Sequence, residues 1–337
     1  MNSGEACQLR NTCLEEGNFI SQDKKKIDWS ENYWKEMLVY QRKSMWFEDT
    51  LAKLASWLGL KSGMTAVDVG CGLGYLGYTY WSYFGEGGRY LGVDISSNLL
   101  QDAVKGTKDW SLNGEIYFIT ADAYKLPFPE DFADLVMCQT LLMHLKEPEL
   151  ALSEMMRVVK PEGLIMCQEP DNLSSMLANR YSSLPELDLE EQMLCTKVAL
   201  ICNKGRIKLG QGDNSIGTKI PQMMKKLGLT EIGIRLNDRV WYLEPPYEGS
   251  LQKHQMDQLK KERLDEKRHK IWIDQEKEEF LAGGGDPQEY DRYREIDDRI
   301  MPILRQQIED GEFFACNSSD FYIIKGRKPK EQTLKLV

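Results

Sequence analysis

Three alternate glycines follow a short apolar run and form the strongest chemical signal in the sequence. The run Ala66–Val69 predicts a buried strand, and Gly70, Gly72 and Gly74 come directly after it. Glycines remove the Cβ atoms that would keep a ligand away from the backbone. A helix that starts there leaves the N–H groups of its first turn without backbone partners. This stretch therefore predicts a strand, a tight turn and a helix that together bind a small ligand.

The loop differs from the dinucleotide fingerprint G-x-G-x-x-G in two respects. That fingerprint needs a glycine where this sequence has Tyr75. In addition, Asp68 lies just before the first glycine, and a carboxylate there repels a pyrophosphate but attracts an ammonium group. The loop therefore favours a cationic, phosphate-free ligand over NAD.

Two further acids lie at the ends of the next predicted strands. The strand at 89–94 ends in Asp94, and the strand at 115–120 is followed by Asp122 after one intervening residue. In open α/β sheets ligands bind at the carboxyl ends of the strands, where an acid after the second strand accepts hydrogen bonds from ribose hydroxyls. Carboxylates at three successive strand ends predict a nucleoside with a cationic tail. Each acid could instead cap a helix, and the sequence leaves that alternative open.

With these residues the sequence resembles the class I S-adenosylmethionine-dependent methyltransferases. The resemblance is carried by residues 67–74, 91–94, 120–122, 133–139 and 157–163. Within that family the chain looks most like small-molecule methyltransferases of the ubiquinone and menaquinone pathway type. The resemblance implies S-adenosyl-L-methionine as the cofactor.

The resemblance also implies cofactor-binding roles for Asp68, Gly70, Gly72, Gly74, Asp94, Ile95, Asp122, Ala123 and Gln139. The first acid is expected near the methionine ammonium, directly or through water, with the glycines against the methionine part. Asp94 is expected to accept from the ribose hydroxyls, with Ile95 under the adenine. Asp122 is expected to accept from the adenine amine, beside the backbone of Ala123. The backbone carbonyl of Gln139 is expected to meet the ammonium.

Two residues on the acceptor side are candidates for catalysis. His144 follows the fourth strand and Glu169 follows the fifth, so both are expected at the carboxyl edge of the sheet. His144 could act as a general base near neutral pH or end a helix with its side chain bonded to backbone. Glu169, like the neighbouring Asp171, could take a proton, hold a cationic substrate or cap a turn. Because the sulfonium methyl group is already a strong electrophile, alignment of the acceptor is the protein's main task.

Composition and charge limit the partners of the chain. Its 337 residues include 42% hydrophobic residues and carry a net charge of −10, which disfavours a phosphate backbone as the main ligand. The eight cysteines show no C-x-x-C pair and no histidine at ligand spacing, so neither a metal site nor a disulfide framework is predicted. No signal-peptide core and no apolar run of membrane-spanning length occur. We therefore expect a cytoplasmic protein without a membrane segment.

The residues after the fourth strand narrow the choice of acceptor. The sequence there is Gln-Thr-Leu-Leu, without the Asn/Asp-Pro-Pro-Tyr typical of enzymes that methylate the amines of DNA bases and without the paired glutamates of arginine methyltransferases. A small molecule with an O, N or C acceptor is the preferred hypothesis. A protein or peptide methyltransferase and a non-catalytic cofactor-binding protein remain alternatives. The sequence does not indicate the oligomeric state.

Strands and helices alternate in a way that predicts an α/β fold. We expect a doubly wound, seven-stranded, mostly parallel sheet of the class I methyltransferase, Rossmann-like type with helical lid insertions. Residues 1–30 are predicted to be a flexible lead, and residues 31–337 a single domain. Helical insertions are predicted at about 172–212 and 245–312.

The second insertion is predicted to be a helical hairpin. Its first helix is expected from about Ser250 to Leu281, and its second from Asp286 to Gly311. The second helix has one regular apolar stripe, which needs a surface to cover. We expect the hairpin to pack on the sheet domain and to act as a lid over the acceptor pocket.

Overall fold

The computed structural model describes residues 45–330, apart from residues 111, 175–180, 239 and 319. The flexible lead predicted at 1–30 lies outside the described residues. The helices and strands are, in chain order, α1 (Glu48–Leu58), β1 (Thr65–Val69), α2 (Tyr75–Phe84), β2 (Arg89–Asp94), α3 (Ser97–Gly106), β3 (Glu115–Thr120), β4 (Ala133–Gln139), α4 (Pro148–Val158), β5 (Val159–Pro170), β6 (Tyr181–Ser182), α5 (Leu189–Lys208), α6 (Ile220–Lys226), β7 (Thr230–Leu236), β8 (Trp241–Leu243), α7 (Ser250–Arg263), α8 (Glu266–Gly283), α9 (Pro287–Asp310), β9 (Ala315–Asn317) and β10 (Phe321–Arg327).

The main sheet has seven strands in the order β3-β2-β1-β4-β5-β10-β7. Strands β1 to β5 are parallel, and β10 is antiparallel to both of its neighbours. The chain runs outward from β1 to β3 and then returns to β4 on the other side of β1. Such a reversal opens a crevice at the carboxyl ends of β1 and β4, where sheets of this kind bind their ligands. The predicted doubly wound, mostly parallel sheet is confirmed.

Each face of the main sheet has its own hydrophobic core, because successive side chains of a strand point to opposite faces. One core includes Val67, Val136 and the inner face of α4. The other includes Ala66, Leu135 and the inner faces of α1 and α2. The three central strands are therefore apolar on both faces, which explains their continuous apolar runs.

The two helical insertions pack on each other where glycines let their helices approach closely. A Cβ atom on Gly205 of α5 would lie 1.7 Å from the carbonyl oxygen of Glu279 in α8, and one on Gly283 would lie 2.1 Å from that of Ile201. The two helix backbones are thus in direct contact, which a larger residue at either position would prevent. The hairpin was expected to pack on the sheet domain, whereas its helix α8 packs mainly on α5.

A small second sheet joins the ends of the hairpin. Its strands follow the order β6-β9-β8 and are antiparallel. Leu243 pairs with Ala315, and a core that includes Met301 and Ile308 of α9 lies beside them. The sequence did not predict this sheet, because its strands are very short and pair over long distances in the chain. We call α5, α7, α8, α9 and this small sheet the helical cap.

The charged first helix of the hairpin is two helices, so the prediction of one helix from Ser250 to Leu281 is wrong. Helix α7 ends at Arg263, and α8 begins after Asp265. The carboxylate of Asp265 accepts hydrogen bonds from the backbone N–H groups of Lys267 and Arg268, at 3.0 and 3.1 Å. An aspartate that caps a new helix in this way competes with continuation of the preceding one.

Candidate functional site

The three glycines after β1 all have left-handed backbone angles, with φ of 67°, 53° and 78° at Gly70, Gly72 and Gly74. Side chains cover the first and the last of them. A Cβ atom on Gly70 would lie 2.7 Å from Cδ1 of Leu141, and one on Gly74 would lie 3.3 Å from the ring of Phe118. A Cβ atom on Gly72 would meet nothing within 4 Å. The loop is therefore packed at both ends and open at its centre.

Asp94, at the end of β2, holds this loop in place. Its Oδ2 accepts from the backbone N–H of Gly72 at 2.9 Å, and its Oδ1 accepts from the N–H of Ser96 at 2.8 Å. Burial raises the pKa of the Asp94 carboxyl, and these backbone donors act in the opposite direction. Ile95, beside it, is 76% exposed. Asp94 and Ile95, which were predicted to contact the ribose and the adenine, thus lie side by side at the carboxyl edge.

Asp68 is a buried acid behind the loop. Only 1% of its surface is exposed, and its Oδ2 accepts from the hydroxyl of Tyr90 at 2.8 Å. Burial, followed by the nearby charge of Asp68, raises the pKa of Tyr90 well above its usual value. The carboxylate of Asp68 is therefore buried and hydrogen-bonded within the protein.

Asp122 lies in an exposed turn after β3. Its Oδ1 accepts from the N–H of Tyr124 at 2.9 Å, and its carbonyl accepts from Lys125 at 3.0 Å. The N–H of Ala121 donates to the carbonyl of Asp94 at 3.1 Å, which ties the ends of β2 and β3 together. The side chain of Asp122 therefore caps a turn, whereas the alternative left open from the sequence was a helix cap. Asp122 is exposed and the adjacent Ala123 is half-buried.

Gln139, at the end of β4, contacts a residue that the sequence did not single out. Its side chain is buried, and its Nε2 lies 2.7 Å from Sδ of Met45. Met45 is itself 3% exposed. The chain segment just before α1 therefore covers the end of β4. No motif marks this methionine, because the contact joins distant parts of the chain.

Glu169 is fully buried and caps the turn after β4. Its Oε1 accepts from the N–H groups of Leu141 and Leu142 at 2.8 and 2.9 Å, and its Oε2 accepts from that of Met143 at 3.3 Å. This geometry corrects the expectation of a catalytic Glu169, because the carboxylate has no exposed surface and already accepts three backbone donors. Since Leu141 lies over Gly70, Glu169 indirectly supports the glycine loop.

His144 ends the short 3₁₀ turn Leu142–His144 and is half-buried. Its N–H donates to the carbonyl of Leu141 at 3.0 Å. A Cβ atom on Gly212 would lie 2.0 Å from the carbonyl oxygen of Met143, so the loop after α5 packs directly against this turn. Both sequence alternatives for His144, a base and a helix-end residue, are compatible with this placement.

The edge residues fit S-adenosylmethionine better than a dinucleotide. Open space borders Gly72, and acids stand at the ends of β1, β2 and β3. Residues 65–76 and 94–100 contain no lysine or arginine, so no basic side chain from these segments is available to neutralise a pyrophosphate. The fit rests on the shape and charge of the protein alone.

The described residues show little that would support other chemistries. No group of three or more His, Cys, Asp or Glu residues among them is placed to hold a metal ion. The six cysteines in this part of the chain are free thiols, and burial raises the pKa of Cys71 in the glycine loop. No helix within the described ranges is long and apolar enough to cross a membrane.

Comparison with known proteins agrees with the geometry. A family model described as a methyltransferase domain matches residues 60–228. A demethylmenaquinone methyltransferase from Oceanobacillus iheyensis is 32% identical over 40% of this chain and 54% of its own length. A ubiquinone/menaquinone biosynthesis C-methyltransferase, UbiE, from Vibrio vulnificus is 30% identical over 33% of this chain and 43% of its own length. The chain thus spans about half the length of these curated relatives.

The crystal structure of protein BH2331 from Bacillus halodurans is 18% identical, with a TM-score of 0.46, over 83% of this chain and 99% of that one. The family model matches half of the chain, and its range contains the glycine loop and all the candidate site residues. The membership predicted from the sequence is confirmed. The chain belongs to the methyltransferase-domain family, within the class I S-adenosylmethionine-dependent methyltransferases.

Proposed function

We propose that this chain transfers a methyl group from S-adenosylmethionine to an O, N or C atom of a small molecule. The observation that supports this most directly is the glycine loop, which is open at Gly72 and held by Asp94. When bound, S-adenosylmethionine supplies an electrophilic methyl group. The protein then has to align the acceptor with that group and exclude water.

The first acceptor class to test is a carbon atom of a reduced quinone ring. Two of the relatives are named for methylation in menaquinone or ubiquinone biosynthesis, and one of them is named a C-methyltransferase. Methylation of a ring carbon releases a proton, so it benefits from a nearby base. His144 is our candidate for that base, and we assign Glu169 the positioning of the turn on which His144 lies.

The described residues that cover the acceptor side favour a small acceptor. Met45 covers the end of β4, and the loop around Gly212 packs against the turn that carries His144. We infer that the helical cap shapes the remaining opening, since it includes the helix α5 that leads into that loop. The cytoplasmic location expected from the sequence stays a prediction.

A methyl-transfer assay tests the proposal. The full chain is incubated with S-adenosylmethionine labelled in its methyl group and with one of three acceptors, a reduced naphthoquinone, a catechol or a primary amine. We expect label in at least one product, with the reduced naphthoquinone preferred. Tight binding of S-adenosylhomocysteine without transfer to any acceptor would instead support a non-catalytic binding protein.

The role of His144 has its own test. His144→Asn should lower kcat for the carbon acceptor by about 10²–10⁴-fold, as removal of a general base does, with little change in S-adenosylhomocysteine affinity. His269→Asn is the matched control, because that histidine lies in the helical cap beside Asp297. Equal, small effects of the two substitutions would make His144 a helix-end residue.

A further inference from the structure

Helix α5 carries an apolar stripe that the described residues leave exposed. Leu189, Met193, Leu200 and Ile207 are 70%, 57%, 53% and 47% exposed. Met193, Leu200 and Ile207 recur at intervals of seven residues, and Leu189 and Thr196 precede the first two by four. This spacing is that of a coiled-coil seam, with two positions in every seven residues on one line. Scattered exposed apolar residues are ordinary on a protein surface, whereas a line along one helix is not. The line is interrupted once, at Asn203, which is buried and hydrogen-bonded to Asp213 and Asn214.

The opposite face of the same helix is already used inside the molecule. Val198 and Cys202 are buried against α8, and Gly205 brings the two helix backbones into contact. A surface helix needs only one apolar face to pack on its own protein. Packing on α8 therefore accounts for the inner face of α5, while none of the described helices and strands covers its outer stripe.

Charges along α5 and the segment just before it are separated by sign. Residues 182–191 contain four acids and no base, and residues 192–208 contain four bases and no acid. Some of these charges are used within the chain, in pairs such as Glu191 with Arg299 and Arg206 with Glu279. Glu190, Lys204 and Lys208 form no ion pair with any of the described residues. This order suits the dipole of the helix. It also makes the exposed face acidic at the N-terminal end of α5 and basic at its C-terminal end.

We propose that this stripe is a self-association surface, on which two copies of the chain pack α5 against α5 in antiparallel orientation. In that orientation the acidic start of one helix lies beside the basic end of the other. A parallel pair would instead place like charges together. The antiparallel pair is a two-fold, isologous contact, the commonest symmetry of protein dimers.

Among the registers that the seven-residue spacing allows, the charges favour one. Ile207 of one copy contacts Leu189 of the other, and Leu200 contacts Thr196. Glu190 then lies within reach of Lys204 of the second copy, twice in the dimer. A shallow groove of about 280 Å³, lined by residues that include Leu189, Met193 and Leu200, is available to receive side chains from the second copy.

The expected association is weak and reversible. Helix α5 has 20 residues, which corresponds to a contact about 30 Å long. One helix pair of that length buries less than the roughly 1,200 Å² of a standard stable interface. We therefore expect a dissociation constant in the range of about 1–100 μM.

Sedimentation velocity on the full chain, from about 1 to 200 μM, tests the proposal. The wild-type chain should pass reversibly from monomer to dimer. Leu200→Glu should weaken the association at least about tenfold, because it buries a charge in the seam. Leu150→Glu is the matched control, since Leu150 is 51% exposed on α4, outside the stripe, and should leave the association unchanged. Circular dichroism confirms that each variant is folded.

Charge reversal tests the orientation. Glu190→Lys and Lys204→Glu should each weaken the association several-fold, because each places like charges of the two copies together. The two changes in one chain should restore the association, because opposite charges at positions 190 and 204 then face each other again. A wild-type chain that stays monomeric throughout overturns the proposal, as does a Leu200→Glu variant that associates like the wild type. Failure of the double variant to recover overturns the antiparallel register.

Discussion

The carboxyl edge of the main sheet, which carries the glycine loop 70–74 and Asp94, is stabilised by other kinds of contact than the helical cap. We call it the cofactor edge. At the edge, short loops at the ends of neighbouring strands are tied together by backbone hydrogen bonds, such as those that Asp94 accepts from Gly72 and Ser96. In the cap, helices from distant parts of the chain touch directly at Gly205 and Gly283. The edge thus depends on a few polar groups close in sequence, and the cap on close packing between distant segments. Changes at the edge should affect ligand binding, and changes in the cap should affect its stability.

The two regions also treat their buried acids differently. Backbone N–H groups stabilise the charged form of Asp94 and oppose the effect of its burial. In the cap, Glu276 accepts hydrogen bonds from the hydroxyls of Tyr290 and Tyr293 at 3.1 and 3.2 Å. Burial nevertheless raises the pKa of Glu276 to about 7. Burial therefore raises the pKa of both acids, and the regions differ in the donors that oppose it, which are backbone N–H groups at Asp94 and tyrosine hydroxyls at Glu276. The acid in the cap is largely protonated in mildly acidic solution.

The largest effect is expected where the helix backbones of the cap touch. Gly205→Ala places a methyl group 1.7 Å from the carbonyl oxygen of Glu279 and should lower the free energy of unfolding by about 3 kcal/mol or more, since neither backbone can move easily. Gly106→Ala is the control, because a Cβ atom there meets nothing within 4 Å. Urea unfolding measures both, and S-adenosylhomocysteine affinity should change in neither. Equal stabilities would show that the cap is loosely packed.

The next effect is on ligand binding at the edge. Asp94→Ala should weaken S-adenosylhomocysteine binding by about 2–3 kcal/mol, because charge-assisted hydrogen bonds contribute about 1.5–3 kcal/mol each and do not add fully. Asp102→Ala removes an acid that pairs with Lys105 on α3 and should leave the affinity unchanged. Calorimetric titration compares the variants. Unchanged affinity in folded Asp94→Ala would make this residue a structural cap only.

A smaller, pH-dependent effect is expected at Glu276. Its folded pKa, about 7, lies above the ordinary value of 4.5, so between these pH values the folded chain keeps a proton that the unfolded chain releases. The free energy of unfolding therefore falls as pH rises from 4.5 to 7. Glu276→Gln should be more stable than the wild type by about 2 kcal/mol at pH 8 and similar to it near pH 4.

Thermal unfolding across this pH range measures the difference between the two proteins. Glu295→Gln, on the exposed face of α9, is the matched control and should follow the wild type at every pH. A Glu276→Gln variant whose stability parallels that of the wild type at all pH values would contradict the raised pKa.

The smallest effect is expected at Glu169. A glutamine there keeps an oxygen that can accept from Leu141 and Leu142, so Glu169→Gln should cost about 1 kcal/mol of stability and leave the pH profile of kcat unchanged. A catalytic base would behave differently, because its loss removes one limb of that profile. A loss of that limb with the fold intact would restore the catalytic role.

The sequence predicted the strands that lead to the cofactor edge well because their signals are local. Strands were expected at 89–94 and 115–120 and are found at those bounds, and the acids that follow strands stand together at one edge. The same reasoning did not separate the two roles of Glu169, because turn capping and proton transfer use the same side chain. Met45 was missed, since its contact with Gln139 joins segments that no motif connects.

The helical cap was predicted less well for a physical reason. The charged helix was expected to be continuous. It is divided at Asp265, which caps the N-terminus of α8 but is one aspartate among many charged residues in this part of the sequence. The contact between α5 and α8 depends on Gly205 and Gly283, whose role is visible only when the two helices are brought together. Long-range packing of this kind leaves no periodic pattern in either segment.

Calorimetric titration of the full chain with S-adenosylhomocysteine and, separately, with NAD tests the central claim most directly. The open glycine loop, the acids at three strand ends and the absence of basic residues in 65–76 and 94–100 predict binding of S-adenosylhomocysteine at micromolar concentration and no heat with NAD. Tight binding of NAD without a response to S-adenosylhomocysteine would contradict the assignment of this edge.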